Sequence, residues 1–386
     1  MNGLSFPVYI ALKEVWRNRG RFLLLSLVIA LITLLVLFIA ALGEGLADGN
    51  RQYIGNLDAE LVVFREKSDY IISSSRLETG TLRAVRRMVG MENAGPIYFS
   101  ATEITSTSLP IKVSLLAAEP GYPGMPTVAE GRDFRGGGSK EVVIDRNLAL
   151  RSGLHIGDGL VVRSTQGPED RFSDLEVVGI VGGQSYLFQP SMFVAAETWE
   201  QIRPQTEADA RDDTPYPHIL AVRVSDAGAV EQLRSSLLAQ VPKIEVADVA
   251  TTINNIPGYS AQQATIQTQG FFTLLIGIMV IGGFFQIQVL QKVPQIGVLK
   301  AIGSSNSAVG MAAVVQIMVV TAIGVGLGAF MTFLFSLGFP PTVPLTFNGV
   351  SVAASVLALM LIGPVGGLVS VIYAVRIEPL RALRLQ

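Results

Sequence analysis

The 386-residue chain contains no cysteine. That removes disulfides, thiolate metal sites and cysteine nucleophiles together, and it is compatible with either side of a membrane. Histidine is nearly as scarce. His155 and His218 are the only two and lie far apart in sequence, which argues against a histidine zinc site or a Ser-His-Asp triad. No Gly-x-x-x-x-Gly-Lys-Ser/Thr phosphate loop is present, so nucleotide hydrolysis lacks its cradle. Gly136-Gly-Gly-Ser-Lys140 has the composition but not the order, and reads as a flexible turn. Charge is absent from long stretches: none occurs in 22–43, in 270–290 or anywhere in 301–375. Proton relays and ion sites of the secondary-transporter kind therefore have no candidates inside those runs. A net charge of -2 argues against nucleic-acid binding, which wants a strongly basic face.

What is abundant is apolar surface. A hydrophobic fraction of 49%, with only 16% charged residues and a mean hydropathy of +0.46, points to a membrane protein with a sizeable soluble part. Residues 1–21 supply an N-terminal amphipathic segment, with Val8, Leu12, Val15 and Trp16 on one face and Lys13, Glu14 and Arg17 on the other. It is expected to lie along the bilayer surface with Trp16 at headgroup level; the alternative is an ordinary surface helix. Residues 22–43 are long enough to cross a hydrocarbon core of about 30 Å. The rival is a cleaved signal peptide ending near Ala40, Ala41 and Gly43, although its apolar region would be longer than the usual one. A second span is expected at 270–290, a third at 308–337 and a fourth at 350–375, the last two separated by Phe339-Pro-Pro-Thr-Val-Pro344 because clustered prolines break helices. Gly324, Gly326 and Gly328, and the pair Gly363 and Gly367 around Pro364, suit close helix approach better than phosphate binding.

Between the first two spans, 44–268 reads as an α+β domain. Val142–Asp145, Glu176–Val181, Leu220–Val224 and Ile244–Val246 have strand character, and Arg146–Ser152 and Gly228–Ala239 helical character. The fold class expected is thus an α-helical membrane protein with four transmembrane helices and an inserted α+β extracytoplasmic domain. Its sidedness follows from Lys and Arg. Lys13, Arg17, Arg19, Arg21, Lys292, Lys300, Arg376, Arg381 and Arg384 all flank spans on one side, which places both termini and the 376–386 tail in the cytoplasm. The inserted domain keeps 20 basic and 29 acidic residues, an acidic soluble surface.

The polar island 291–306, Gln291-Lys-Val-Pro-Gln-Ile-Gly-Val-Leu-Lys-Ala-Ile-Gly-Ser-Ser-Asn306, is either a short cytoplasmic helix or a loop. As a helix it begins near Pro294, ends near Gly303, puts Ile296, Leu299 and Ile302 on one face and keeps Lys292 and Lys300 in water. Its run Gln295-Ile-Gly-Val-Leu-Lys-Ala-Ile-Gly-Ser304 resembles the coupling segment of FtsX/MacB-type ABC transporter permeases (the type VII ABC fold), with Gln295 where that family often has Glu. Leu290-Gln-Lys292 with Leu299–Gly303 also resembles the family's haem-efflux branch. The order of motifs from Gly131 to Val181 is similar to the family's extracytoplasmic domain, a strand-helix subdomain at 52–118 and 217–249 carrying an inserted β-rich lobe at about 131–199. The tail Arg376-Ile-Glu-Pro-Leu-Arg-Ala-Leu-Arg384 is similar to its closing pattern. Val181-Gly-Gly-Gln-Ser185 looks superficially like an ABC signature peptide, but it lies in the inserted domain of a chain without a phosphate loop.

The resemblance implies a non-catalytic permease subunit in the cytoplasmic membrane. It would bind no cofactor itself, would work as a dimer, and would take its energy from a separate ABC ATPase holding ATP and Mg. Lys292, Gln295, Ile296, Gly297, Leu299, Lys300, Ile302 and Gly303 become the expected ATPase-coupling residues. Cargo implied is amphipathic: lipid, lipoprotein, peptide, macrolide or haem. It would enter near Phe38, Leu42 and Leu46 at the outer end of the first span, residues that could equally pack against neighbouring spans or face lipid. Membrane lipid and a periplasmic adaptor are further implied partners. Two other functions remain open on the sequence: signalling that activates a cell-wall hydrolase without transport, and a free-standing ligand sensor.

Overall fold

The computed structural model describes residues 9, 13–105, 110–205, 216–339 and 343–376. The first part of the N-terminal segment, Pro340 and Pro341, and the tail pattern after Arg376 lie outside the described residues. The chain divides into two compact units, one formed by 1–45 with 264–386 and the other by 46–263.

Each expected span falls on one helix, the third running one residue past its helix at Leu337. Helix α1 (Arg19–Gly55) has 37 residues, or about 55 Å at the α-helical rise, and so outruns its apolar stretch by several turns. The other three long helices run over Tyr259–Gln291, Asn306–Ser336 and Gly349–Arg376. All four are long and apolar enough to cross a membrane. In the unit they form, Leu25, Ile29, Leu37, Ile281, Phe285, Val320 and Ile362 build a buried core. Small residues let the helices approach. A Cβ on Gly324 would lie 2.6 Å from the Ile29 side chain, and one on Gly328 would lie 2.5 Å from the Ala30 carbonyl. Gly326, between them, meets nothing within 4 Å. The productive spacing is therefore four residues, one helical turn, and not the alternate spacing that catches the eye. Gly282 and Gly366 face one another so closely that a Cβ on either would be 2.7 Å from the opposing backbone. The connection before the last helix lies against α1, where Thr346 N–H donates to the Ala41 carbonyl at 3.1 Å.

Among the described residues the inserted unit is built on ten strands: β1 (Leu61–Arg65), β2 (Ala94–Ile104), β3 (Ile111–Ala117), β4 (Val128–Gly131), β5 (Glu141–Asp145), β6 (Gly159–Gln166), β7 (Glu169–Val181), β8 (Ser191–Val194), β9 (Ile219–Val222) and β10 (Ile244–Asp248). Their order is β10-β1-β9-β2-β3-β8-β5-β7-β4, with β6 bridging β2 and β7. Helix α2 (Thr81–Val89) and helix α3 (Arg146–Ser152) follow, the latter with the bounds its sequence suggests. Asp145 caps α3 by accepting from Leu148 N at 2.6 Å, and Gly153 closes it in the left-handed region.

The lobe begins earlier than the expected 131. Residues Ala94–Ile97 of β2 pair with β9 in the flanking sheet, while Tyr98–Ile104 pair with β3, which itself pairs in parallel with β8. Nothing local marks that point, because β2 is one unbroken strand and only its partners differ.

Candidate functional site

The long helix Tyr259–Gln291 stops where it does because of Pro294. A proline there has no N–H for the Leu290 carbonyl and its ring clashes with that carbonyl, so the chain turns at Lys292 and restarts as a short helix, α8 (Val293–Ala301). We number it as the eighth α-helix after α4 (Ala196–Ile202), α5 (Val230–Gln240), α6 (Val249–Asn254) and α7 (Tyr259–Gln291). Its end is equally defined. Ser304 N–H donates to Leu299 O at 3.1 Å and Gly303 N–H to Lys300 O at 3.0 Å, with Gly303 at φ +106°. This is the paired closure that needs a left-handed residue just past the helix, which glycine adopts without steric cost. Ser305 then accepts from Ala308 N at 3.2 Å and opens α9 (Asn306–Ser336). The island is thus a helix with fixed ends and no slack on either side.

Its faces differ from the sequence expectation. Ile296 and Leu299 pack inward on Val289, Val309 and Ala374, and Gly297 is buried. Ile302 is 80% exposed. Each step of three residues falls about 60° short of a full turn, so two steps carry Ile302 about 120° away from Ile296. Ile302 instead shares a stripe with Gln295 and Val298, both exposed, at intervals of three and four residues. Val298, 41% exposed, was not singled out by sequence, although its four-residue spacing from Ile302 is the signal that would have found it.

The two lysines are also engaged differently. Rather than merely holding the segment in water, Lys292 forms an ion pair with Glu14 and sits 5.7 Å from the centre of the Phe22 ring. Lys300 Nζ donates to the Val375 carbonyl at 2.6 Å, satisfying an otherwise open acceptor in the last turn of α10 (Gly349–Arg376). Arg21 adds a 3.0 Å hydrogen bond to Gln291. The short helix is therefore tied at its start to the N-terminal segment and at its end to the last long helix. Reversing the charge in Lys292→Glu is expected to cost about 1 kcal/mol, and Glu14→Lys in the same chain to recover most of it. Thermal unfolding of the purified single and double variants measures both.

At the far end of the same unit Phe38 lines an apolar cavity of about 230 Å³ with Leu34, Phe335, Phe339, Leu345 and Phe347. Phe38 and Phe339 stand 5.6 Å apart, ring centre to ring centre. Leu42 and Leu46 are half-buried and are not among the described lining residues. Phe335 and Phe347 went unnoticed in the sequence because the cavity is assembled from three separate segments.

Among the described residues no cluster of three or more His, Asp or Glu could hold a metal ion. In the inserted unit, His218 accepts from Phe99 N–H through Nδ1 at 3.2 Å, and burial together with the positive fields of Arg76 and Arg203 depresses its pKa to about 4. Its neutral form is thus built into the fold. Asp145 has the opposite bias, raised to about 6 by burial. For His218, stability is fully present above pH 6.5 and is lost as pH falls toward 4, by about 3 kcal/mol in all; Asp145 shifts stability the other way over a similar window. The comparison that isolates the histidine is wild type against His218→Gln. The stability difference between them should shift against wild type by that amount between pH 6.5 and 4, read by denaturant unfolding.

Two family models match the chain: a MacB-like periplasmic core domain over residues 22–240 and an FtsX-like permease C-terminal region over 269–379. The chain belongs to the FtsX-like, MacB-like family of ABC transporter permeases. Among curated relatives, a protein from Staphylococcus haemolyticus named as the hemin transport system permease HrtB is 24% identical over 377 residues, covering 97% of this chain and 98% of the relative. An uncharacterized ABC transporter permease of Mycobacterium tuberculosis is 24% identical over 375 residues, covering 94% and 95%. The crystal structure of the extracellular domain of the noncanonic ABC-type transporter YknZ aligns over 48% of this chain and 98% of its own, with 12% identity and a TM-score of 0.34. The chain is accordingly an ABC permease subunit with four apolar helices and an inserted α+β domain, in a multi-pass membrane family whose members imply an ATPase partner.

Proposed function

We propose that this chain transmits ATP-driven motion from a separate ABC ATPase through α8 to the extracytoplasmic side, and so exports or extracts an amphipathic cargo. The observation that carries the proposal is the two-sidedness of α8. One face is tied into the helical unit through Ile296, Leu299, Lys292 and Lys300, while the other offers the unpartnered apolar pair Val298 and Ile302 beside Gln295. A helix so built moves with the spans and has a surface left for a second protein. The stripe Gln295, Val298 and Ile302 docks the ATPase; Gly297 and Gly303 shape the helix that carries it. ATP and Mg reside on that partner, and this chain catalyses nothing.

Two copies work together, with both termini and α8 in the cytoplasm and the inserted domain outside. This arrangement is supported by the one-sided distribution of Lys and Arg around the spans. Haem is the first cargo to test, because full-length relatives carry hemin transport in their names. Phe38 and the phenylalanines around it supply an apolar surface at the outer end of the spans. The experiment is purification of the permease with its ATPase in nanodiscs, followed by ATP turnover with haem, lipid or a macrolide added. Stimulation by one of them names the cargo. A purified complex stimulated by none, but bound to a cell-wall hydrolase, would transfer the same lever to signalling.

A further inference from the structure

Behind α8, wholly within the helical unit, lies a cavity of about 100 Å³. Its lining joins the short helix to the spans that carry it: Ile296 and Leu299 from α8, Gln288 from α7 and Gln316 from α9, with the Glu14–Lys292 ion pair on its wall. The two glutamines stand out in runs that are otherwise apolar. Each is 7% exposed, and neither makes a hydrogen bond with another described residue. Gln316 Nε2 is sealed in the protein without a partner, as is Ser370 Oγ from α10. The Gln288 amide and Gln316 Oε1 are not sealed, and this cavity is what both residues border.

Burying an amide without a replacement hydrogen bond is costly, and within a span no bulk water is at hand to supply one. Leucine would fill the same space without that cost. The cavity beside Phe38 shows the alternative: its two hydroxyls, on Thr332 and Ser336, donate to the Gly328 and Phe333 carbonyls of their own helix and leave the wall apolar. Apolar cavities stay dry, whereas polar ones hold water. A cavity of about 100 Å³ has room for several molecules, since one needs about 10–15 Å³ of such space.

We infer that this cavity is a water-filled joint, in which Gln288 and Gln316 hold bridging waters and let α8 shift against α7 and α9. The Gln288 amide offers two donors and an acceptor, and Gln316 Oε1 a second acceptor, so waters between them have partners on both sides. Close-packed side chains resist displacement, while a water bridge can lengthen, re-form or lose a molecule at little cost. Position suits this. The ties at the two ends of α8, Lys292 to Glu14 and Lys300 to the Val375 carbonyl, leave its middle, Ile296 and Leu299, over the cavity. Both glutamines are positioning residues, with no contact to the ATPase. The movement rests on the coupling reading above; the hydration does not.

X-ray hydroxyl-radical footprinting reads buried water, because the radicals form at the bound molecules themselves. Ile317 and Ile29 are equally buried, at 2% exposure, and of the two only Ile317 borders the cavity. In the purified full-length permease, Ile317 should be labelled at least about tenfold faster than Ile29 if water stands against it. Equally slow labelling of the two would mean a dry cavity and overturn the inference. Ala313→Leu, which adds bulk to the cavity wall, should bring Ile317 down to the Ile29 rate. Gln316→Leu removes an amide at similar volume, and should slow Ile317 labelling in the same direction should the first variant fail to fold; an unchanged rate in folded Gln316→Leu would overturn the role of the glutamine. The wild-type complex with its ATPase is then labelled both nucleotide-free and trapped with ADP and vanadate. A joint changes the Ile317 rate between those states by at least about threefold and leaves Ile29 constant. The same rate in both states of an ATP-hydrolysing complex would mean a static water pocket and overturn the joint. Failure of the ATPase to bind would refute the coupling reading and the movement with it, and is told apart because hydration is measured on the permease alone.

Discussion

If the exposed stripe of α8 docks the ATPase as proposed, Ile302→Asp is expected to strip the ATPase from the purified permease, lowering its recovery at least about tenfold, and to leave the unfolding temperature of the permease itself unchanged. The size follows from burial: covering an isoleucine side chain at an interface is worth about 1.5–3 kcal/mol, each 1.4 kcal/mol is tenfold in affinity, and a carboxylate placed there adds desolvation to the loss. Retained stability follows from position. Ile302 is 80% exposed and touches none of the buried core, so the unit loses nothing on its own account. Val298→Asp should act in the same direction. Leu299→Asp should behave differently, because Leu299 faces Val289 and Val309 and a charge there unfolds the attachment of the helix itself. Pull-down of the tagged ATPase beside a thermal melt of the permease separates these outcomes. Full recovery of the complex with Ile302→Asp would remove the exposed stripe from the docking surface.

Gly328→Leu is expected to be strongly damaging to the helical unit, with destabilisation on the order of 3 kcal/mol. A Cβ alone would lie 2.5 Å from the Ala30 carbonyl and equally close to Thr33, and backbone does not yield as a side-chain tip does. The matched control is Gly326→Leu. It lies two residues away in the same helix and has nothing within 4 Å, so it should leave the protein monodisperse with an unfolding temperature close to that of wild type. Fluorescence-detected gel filtration after a heating series compares the two. Equal behaviour would mean that α1 and α9 do not approach each other as described.

The four long helices were legible because charge-free runs of 20 or more residues have few other uses, and Arg146–Ser152 because Asp145 and Gly153 bracket it with a cap and a stop. The short helix α8 was legible for a similar reason, with Pro294 and Gly303 as its markers. Its orientation was not. An interval of three residues looks like one face when it is counted once, and drifts off that face when counted twice. The roles of Lys292 and Lys300 were hidden because their partners, Glu14 and the Val375 carbonyl, are 278 and 75 residues away. The aromatic corner around His218 was hidden for the same reason: Phe99, Trp199 and His218 come from three distant segments joined only by sheet pairing. Sequence exposes features that a residue shares with its near neighbours, and misses those that depend on tertiary return.

Strand β2 bears on any attempt to shorten or graft this protein. Its first four residues are stitched to β9 and the next seven to β3, so no hinge separates the two sheets and neither half ends where the other begins. Cutting out 131–199 alone would remove β5, β6, β7 and β8 and strand β3 with one bare edge, ready to pair with another molecule. A clean excision has to take the chain from Tyr98 to the residue before Ile219, which makes the lobe an extension of the platform beneath it and not a detachable module.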